Sequence, residues 1–292
     1  MKKGLKFLGI GLGYMSIFVI LQLIVLIVVS FCCTFIVGVE FGMSGASPDY
    51  KEIEIVVMEK IASFTDLMAV ISGIISIAIV CLIFVIRHKN IKEEINLKPI
   101  SLKCIPILII MGISLNFLIA GVMSILPIPE SVMYEYEQAS KSLEKIGIVS
   151  FIATVIVAPL SEEIFCRGLM LSRFRKGIPI VISIILQAFI FGLIHGNFLW
   201  IIYATIIGII FGVIAYKQKS IVGTIIMHSA FNLTSFIMIV ANVEINNGKD
   251  SIGIASISAI IFILSSIYVL NSKSKKLEIN NTDNNINEKL NS

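Results

Sequence analysis

Long runs of apolar residues, separated by short polar stretches, follow one another along the chain. Most runs hold about 20 residues, the length that an α-helix needs to cross the hydrocarbon core of a bilayer. The pattern therefore predicts an all-α, polytopic membrane protein with about eight transmembrane helices. The predicted spans cover residues 7–37, 67–86, 104–126, 146–172, 178–195, 198–216, 221–241 and 252–270.

The spans and the polar residues inside them divide the chain into four parts. Residues 1–145 hold the first three helices and their loops, and residues 146–241 form a helical core that carries the polar motifs of the spans. Residues 242–270 hold the last helix. Residues 271–292 are rich in Asn, Lys and Ser, a composition typical of a disordered polar tail.

Charged residues in the loops alternate in sign along the chain. Cytoplasmic loops of membrane proteins carry an excess of Lys and Arg, so the basic segments are expected on the cytoplasmic side together with both termini. We expect an integral, multi-pass protein of a bacterial cell membrane. The basic segments are 87–103, 173–177, 217–219 and the tail, and the acidic loops are 40–66 and 127–145.

Composition supports a membrane protein and argues against a nucleic-acid-binding one. Hydrophobic residues make up 57% of the 292 and charged residues only 14%, whereas ordinary soluble domains carry about 25% charged residues. A chain so poor in charge cannot cover a surface that faces water. The net charge of +4 is modest, and no basic run with interleaved aromatic residues indicates a nucleic acid partner.

A few ionisable and amide side chains lie inside the predicted spans, where each costs several kcal/mol unless it is paired or faces a cavity. Glu163 and Arg167 stand at positions i and i+4, the favourable order for an ion pair on one helix face. Glu162 is rotated by about 100° from Glu163, so it is left to face a cavity. His228 and Asn232 repeat the i, i+4 spacing on another span.

Counting residues from the basic turns places these side chains at a similar depth. At 1.5 Å per residue, Glu162 lies roughly 21 Å from its turn, His195 roughly 27 Å and Asn232 roughly 20 Å. The sequence therefore predicts that they meet in one cavity entered from the cytoplasmic side. A carboxylate and an imidazole there can deprotonate a water, directly or on a metal ion, and a second imidazole and an amide can donate hydrogen bonds to an oxyanion.

The polar motifs resemble those of the CAAX prenyl protease and bacteriocin-processing family, also called the Abi or CPBP family. Three motifs in order carry the resemblance, which covers about residues 146–241. They are Glu162-Glu163-x-x-x-Arg167 with the following Gly168 and Leu169, Phe191-x-x-x-His195, and His228-x-x-x-Asn232.

The resemblance implies an intramembrane endopeptidase of a peptide or protein substrate. Carried over by position, Glu162 and His195 would activate the water, His228 and Asn232 would hold the oxyanion, and Glu163 and Arg167 would support the site. The family is often described as metal-dependent, and Glu162, His195 and His228 could ligate a single Zn²⁺. Members that work without a bound metal leave the alternative that no cofactor is required.

Two other classes of function remain open from the sequence. Buried Glu and His residues also form the proton relays and ion sites of transporters, although no internal repeat is present. A non-catalytic bacteriocin-immunity or scaffold protein would also agree with the resemblance. Prenylated peptides, leader peptides and bacteriocin-related peptides are all possible substrates, and no pattern indicates an oligomeric state.

Overall fold

The protein is an assembly of membrane-spanning α-helices in a computed structural model that describes residues 2–45, 49–141, 146–243, 245 and 249–272. No strand occurs in these ranges, and seven of their helical segments are long and apolar enough to cross a membrane. The predicted fold class, an all-α polytopic membrane protein, is therefore confirmed. The predicted polar tail lies outside the described residues from position 273 onwards.

The helices are numbered in chain order, and the fourth span consists of short α-helical and π-helical segments joined end to end. The helices are α1 Lys2–Ser44, α2 Tyr50–Ser63, α3 Thr65–Ile86, α4 Ile91–Glu94, α5 Cys104–Ile125, α6 Glu130–Lys141, α7 Ile148–Phe151, α8 Ala158–Glu163, α9 Ser172–Phe174, α10 Ile180–Leu193, α11 Phe198–Gln218, α12 Val222–Val240 and α13 Lys249–Asn271. The first π segment is Ile152–Val157 and the second is Ile164–Leu171.

The number of full-length spans differs from the sequence prediction. Helix α10 is apolar but has only 14 residues, or about 21 Å of helix, which is short of the roughly 30 Å hydrocarbon core. It ends at Leu193 because the chain then turns through Gly196, whose φ of +75° favours glycine. The Asn197 side chain caps α11 by accepting from the backbone N–H of Leu199 at 3.0 Å. The predicted spans 178–195 and 198–216 are separated at this turn, but α10 was counted as a full span because nearly all of its segment is apolar.

The two acidic connections also contain helices that the sequence analysis treated as loops. Helix α2 is tied to the end of α1 by an ion pair of 2.6 Å between Lys60 and Glu40. Helix α6 lies against the start of α11, where the rings of Tyr136 and Trp200 meet edge to face with centroids 6.3 Å apart. Glu52, Glu54 and Glu59 therefore lie on α2, and Glu130, Glu135 and Glu137 lie on α6, not on extended loops.

The fourth span lies at the centre of the assembly, whereas α1 faces outward along much of its length. Every residue of the second π segment and of α9 is buried. Phe31 and Phe35 of α1 are, in contrast, 73% and 66% exposed, as expected for residues that contact lipid. Helix α1 packs on α3 and on the second π segment, and α5 packs on α12 and α13. The first three spans therefore pack around the segment with the polar motifs.

Candidate active site

Glu163 is the most deeply buried acid of the site, with no exposed side-chain surface. Its Oε1 accepts a hydrogen bond from Arg167 Nη1 at 2.7 Å, as the i, i+4 spacing predicts. The guanidinium group also donates to the backbone carbonyl of Gly208 through Nη2 at 3.4 Å. The predicted pairing of Glu163 with Arg167 is therefore present. The bond from Arg167 to Gly208 joins the fourth span to α11.

His228 completes this group of charges. Its Nδ1 lies 3.0 Å from Glu163 Oε1, and since a carboxylate only accepts, we assign the proton to Nδ1. Its Nε2 lies 3.8 Å from Glu162 Oε2, beyond hydrogen-bond distance. Glu163, Arg167 and His228 are called the paired cluster below. The cluster fixes the imidazole ring so that its second nitrogen faces the other glutamate.

Two aromatic rings enclose the paired cluster. The guanidinium carbon of Arg167 lies 4.5 Å from the ring centre of Phe191 and 5.3 Å from that of Phe211. The Phe211 ring also lies 5.2 Å from the His228 ring. Cations are attracted to the faces of aromatic rings, most strongly where water is excluded. These rings replace part of the solvation that a buried arginine loses.

Glu162, the neighbour of Glu163, has different surroundings. Its side chain is 18% exposed, and it makes no hydrogen bond in the described part of the chain. Its Oε2 lies 3.8 Å from His228 Nε2. It lies at the end of α8, one helical step around from Glu163. One glutamate therefore belongs to the buried ion pair and the other retains accessible oxygen atoms, as the helical spacing predicts.

His195 lies in the turn between α10 and α11, not within a helix as its span predicted. Its Nδ1 is 2.8 Å from the carbonyl oxygen of Phe191, and because a carbonyl only accepts, Nδ1 carries the proton. The lone pair of the neutral ring is then on Nε2, which has no partner among the described residues. Glu162 and His195 are called the open groups below.

The ring of Phe191 connects the open groups to the paired cluster. Its centre is 4.8 Å from that of His195 and 6.3 Å from that of His228, with both imidazoles edge to face against it. The second and third motifs therefore meet at one aromatic ring, on which Arg167 of the first motif also lies. Residues of the three motif-bearing spans therefore meet around this ring, whereas the meeting of Glu162, His195, His228 and Asn232 in one cavity stays a prediction.

Asn232 makes a contact that the sequence did not indicate. Its Nδ2 donates to the backbone carbonyl of Thr154 at 2.8 Å. In the first π segment, Ala158 N–H bonds the carbonyl of Ala153, five residues back. The next donor in this register would be the N–H of residue 159, but Pro159 has none. Asn232 therefore supplies the hydrogen bond that the proline cannot give to Thr154.

The predicted zinc ligands do not form a metal site in this arrangement. Among the described residues, no group of three His, Cys, Asp or Glu side chains is placed to hold one ion. Nδ1 of His228 is bonded to Glu163 and Nδ1 of His195 to the Phe191 carbonyl, so Nε2 of each ring is left free, as in a metal-ligating histidine. It is therefore the placement of Glu162, His195 and His228, and not the bonding of their nitrogens, that does not fit a three-ligand zinc centre.

The sequence analysis missed Phe211, Thr154 and Pro159. Phe211 is one of 18 phenylalanines in the chain, and nothing in its local pattern sets it apart. Pro159 did carry a signal, because a proline inside a span leaves a backbone carbonyl that needs another donor. That donor comes from α12, which lies about 70 residues further along the chain and cannot be identified from local spacing.

Comparison with known families agrees with the motifs. The family model for "Type II CAAX prenyl endopeptidase Rce1-like" matches residues 144–234, a segment that holds the paired cluster, the open groups and Asn232. No curated protein and no solved structure matched the chain. Over this segment, which is under a third of the chain, the protein is similar to the Rce1-like CAAX prenyl endopeptidases, and this match confirms the resemblance read from the three motifs.

Proposed function

We propose that the protein hydrolyses a peptide bond within the membrane by means of a water molecule from which Glu162 takes a proton. The family supports an intramembrane endopeptidase in general, and the role of each residue is part of the proposal. The observation that supports a role for Glu162 as the base is the difference between the surroundings of the two glutamates. Glu163 is fully buried and bonded to Arg167 and His228, whereas Glu162 is partly exposed and has no hydrogen bond in the described part of the chain.

A general base needs an accessible lone pair near the water that it deprotonates. Glu162 supplies one at a carboxylate oxygen, and His195 supplies another at Nε2 because Nδ1 is held by the Phe191 carbonyl. Together they would polarise one water. The water oxygen then attacks the peptide carbonyl carbon while its proton moves to Glu162.

The negative charge that develops on the carbonyl oxygen requires hydrogen-bond donors. His228 is oriented by Glu163 so that Nε2 faces the Glu162 side, and as an imidazolium it would donate from that nitrogen. Asn232 has two amide N–H groups, of which one is used by Thr154. The other is available to the oxyanion. When the C–N bond breaks, protonated Glu162 returns its proton to the leaving amine.

The substrate is proposed to be a peptide that reaches the site from the membrane. The description of the matched family makes the C-terminal segment of a prenylated protein the first substrate to test. Leader peptides and bacteriocin-related peptides are the next candidates. The basic turns next to the fourth span are proposed to lie on the cytoplasmic side, so the substrate would enter from there.

The test is cleavage by purified protein in lipid vesicles. Prenylated and unprenylated peptides are incubated with wild type, Glu162→Gln and Glu137→Gln, and new peptide ends are identified by mass spectrometry. Glu137 lies exposed on α6, so it is a matched control for loss of one acid. Wild type and the control should cut an internal bond, and Glu162→Gln should be slower by about 10²- to 10⁴-fold.

The same experiment separates the alternatives. Cleavage by Glu162→Gln at the wild-type rate would contradict the proposed role of this residue. No cleavage of any peptide by wild type, together with a cellular phenotype that Glu162→Gln abolishes, would favour a transporter or a scaffold.

A further inference from the structure

A cavity lies at the C-terminal end of the fourth span, and neither of the open groups lines it. It is bounded by the end of the second π segment, the turn after α9, the end of α11 and the loop after α4. Leu171, Ala215 and Ile221 form its apolar lining. Its polar lining consists of Asn96, Arg167, Ser172, Arg175, Tyr216 and Lys219.

The lining of this cavity, called the basic cavity below, has three cations and no acid. Of these cations, Arg167 is paired with Glu163, and Glu94 on the neighbouring α4 is paired with Arg173, which does not line the cavity. Arg175 and Lys219 are exposed and form no ion pair in the described part of the chain. A site with positive charges on several sides and no negative one attracts an anion.

Arg167 gives a second and independent indication of a ligand. The residue is only 1% exposed, and its Nη1 and Nη2 bond Glu163 and Gly208. Its Nε is buried without a hydrogen-bond partner. A buried donor without a partner costs about 1–3 kcal/mol, and more when it is charged. Since Arg167 lines the basic cavity, an acceptor bound there would lie next to this residue.

The rim of the basic cavity is held in place by hydrogen bonds between its two connections. The backbone N–H of Ile221 donates to the carbonyl of Asn96 at 3.1 Å, and the Ser220 hydroxyl donates to the carbonyl of Lys98 at 2.5 Å. The Ile95 carbonyl lies so close to Gly168 that a Cβ there would be 2.7 Å from it. The loop after α4 is therefore fixed against both α11 and the fourth span.

We propose that the basic cavity binds the phosphate group of an anionic membrane phospholipid. Arg175 and Lys219 belong to the turns 173–177 and 217–219, which are rich in Lys and Arg, and basic pockets between transmembrane helices at that face suit lipid head groups. Tyr216 is 39% exposed at the same edge, and its hydroxyl group offers another donor. Guanidinium and ammonium groups both bind phosphate oxygens.

The site also has a physical connection to the paired cluster. Arg167 lines the basic cavity and, through Nη1, bonds the glutamate that orients His228. Binding of the lipid phosphate involves the cavity alone and does not depend on peptide hydrolysis. A failure of either proposal can therefore be recognised without the other.

The test compares two double variants that each remove two positive charges. Arg175→Gln with Lys219→Gln changes the basic cavity, whereas Lys176→Gln with Lys217→Gln changes neighbours in the same turns that do not line it. Purified proteins are titrated with phosphatidylglycerol, phosphatidylcholine or inorganic phosphate. Lipid affinity is measured by native mass spectrometry, and the melting temperature is recorded with and without lipid.

Phosphatidylglycerol should bind wild type and the control variant and raise their melting temperatures. The cavity variant should bind it at least about tenfold more weakly than the control, as expected for two lost charge contacts of about 1 kcal/mol each. Phosphatidylcholine and inorganic phosphate should give no comparable shift. Equal loss in both double variants would overturn the site, and an equal shift with inorganic phosphate would overturn a lipid as its source. The melting temperatures without lipid check that both variants are folded.

Discussion

The paired cluster and the open groups lie side by side but differ in every physical property that matters for their roles. Glu163, in the paired cluster, has no exposed side-chain surface and two polar partners, Arg167 and His228. Glu162 is 18% exposed and lies 3.8 Å from the nearest of those partners. A buried charge is tolerated only with partners, so the folded state depends on the pairing of Glu163 with Arg167. The open groups lack such partners and retain lone pairs for a reaction.

The largest loss of activity without loss of stability is expected at His195. His195→Asn keeps an amide donor near the Phe191 carbonyl but removes the lone pair of Nε2. We expect kcat to fall about 10²- to 10⁴-fold with little change in melting temperature, because the side chain is only partly buried. Peptide cleavage and thermal unfolding of the same sample measure the two effects.

His88→Asn is the matched control for this change. His88 is exposed in the turn after α3, with a φ of 51° that Asn accommodates well, and its variant should cleave at the wild-type rate. Wild-type cleavage by His195→Asn would remove His195 from the open groups.

Loss of the Glu163 charge should lower stability, in contrast to loss of the Glu162 charge. Glu163→Gln leaves the Arg167 charge buried without its counter-ion, so the free energy of unfolding should fall by about 3–5 kcal/mol. Glu163→Leu with Arg167→Met removes both charges and should cost less than the single change. Unfolding in detergent micelles with increasing denaturant measures both. A fully stable Glu163→Gln protein would show that the ion pair does not hold the fold.

Asn232 is expected to stabilise the fold and also to donate to the oxyanion. A double-mutant cycle with Pro159 separates these two effects. Asn232→Ala leaves the Thr154 carbonyl without its donor, at a cost of about 1–3 kcal/mol. Pro159→Ala supplies a backbone N–H that can take the place of the amide. The stability cost of Asn232→Ala should therefore shrink in the Pro159→Ala background, while the loss of cleavage persists.

Other outcomes of this cycle would change the account of Asn232. Equal stability costs in both backgrounds would show that the bond to Thr154 is unimportant. Recovery of cleavage together with stability would show that Asn232 only positions the α8 segment and donates nothing to the oxyanion.

Much of the site could be predicted because its contacts follow helix geometry. The i, i+4 spacing of Glu163 and Arg167 brought those two side chains together, and it left Glu162 on a different face. The depth count placed the polar residues of three spans at similar distances from the basic turns, because each helical residue advances by about 1.5 Å. The apolar pattern likewise located the long spans, with α3 and α5 found within two residues of their bounds.

The rest depended on contacts between distant parts of the chain. The hydrogen bond from Asn232 to Thr154 joins α12 to the first π segment, and π segments have no hydropathy pattern of their own. The bounds of α10 were also predicted within two residues at each end, but it was counted as a full span although its 14 residues are too short to cross the bilayer. The basic cavity combines an acid-free lining with a fixed rim, which only the folded arrangement brings together.

The most direct test of the central claim compares Glu162→Gln with Glu163→Gln in one experiment. Cleavage rate per folded molecule and melting temperature are measured for both variants and wild type in the same vesicles. The account predicts that Glu162→Gln melts like wild type but cleaves about 10²- to 10⁴-fold more slowly, whereas Glu163→Gln melts at a clearly lower temperature. A Glu162→Gln protein that cleaves at the wild-type rate would contradict it.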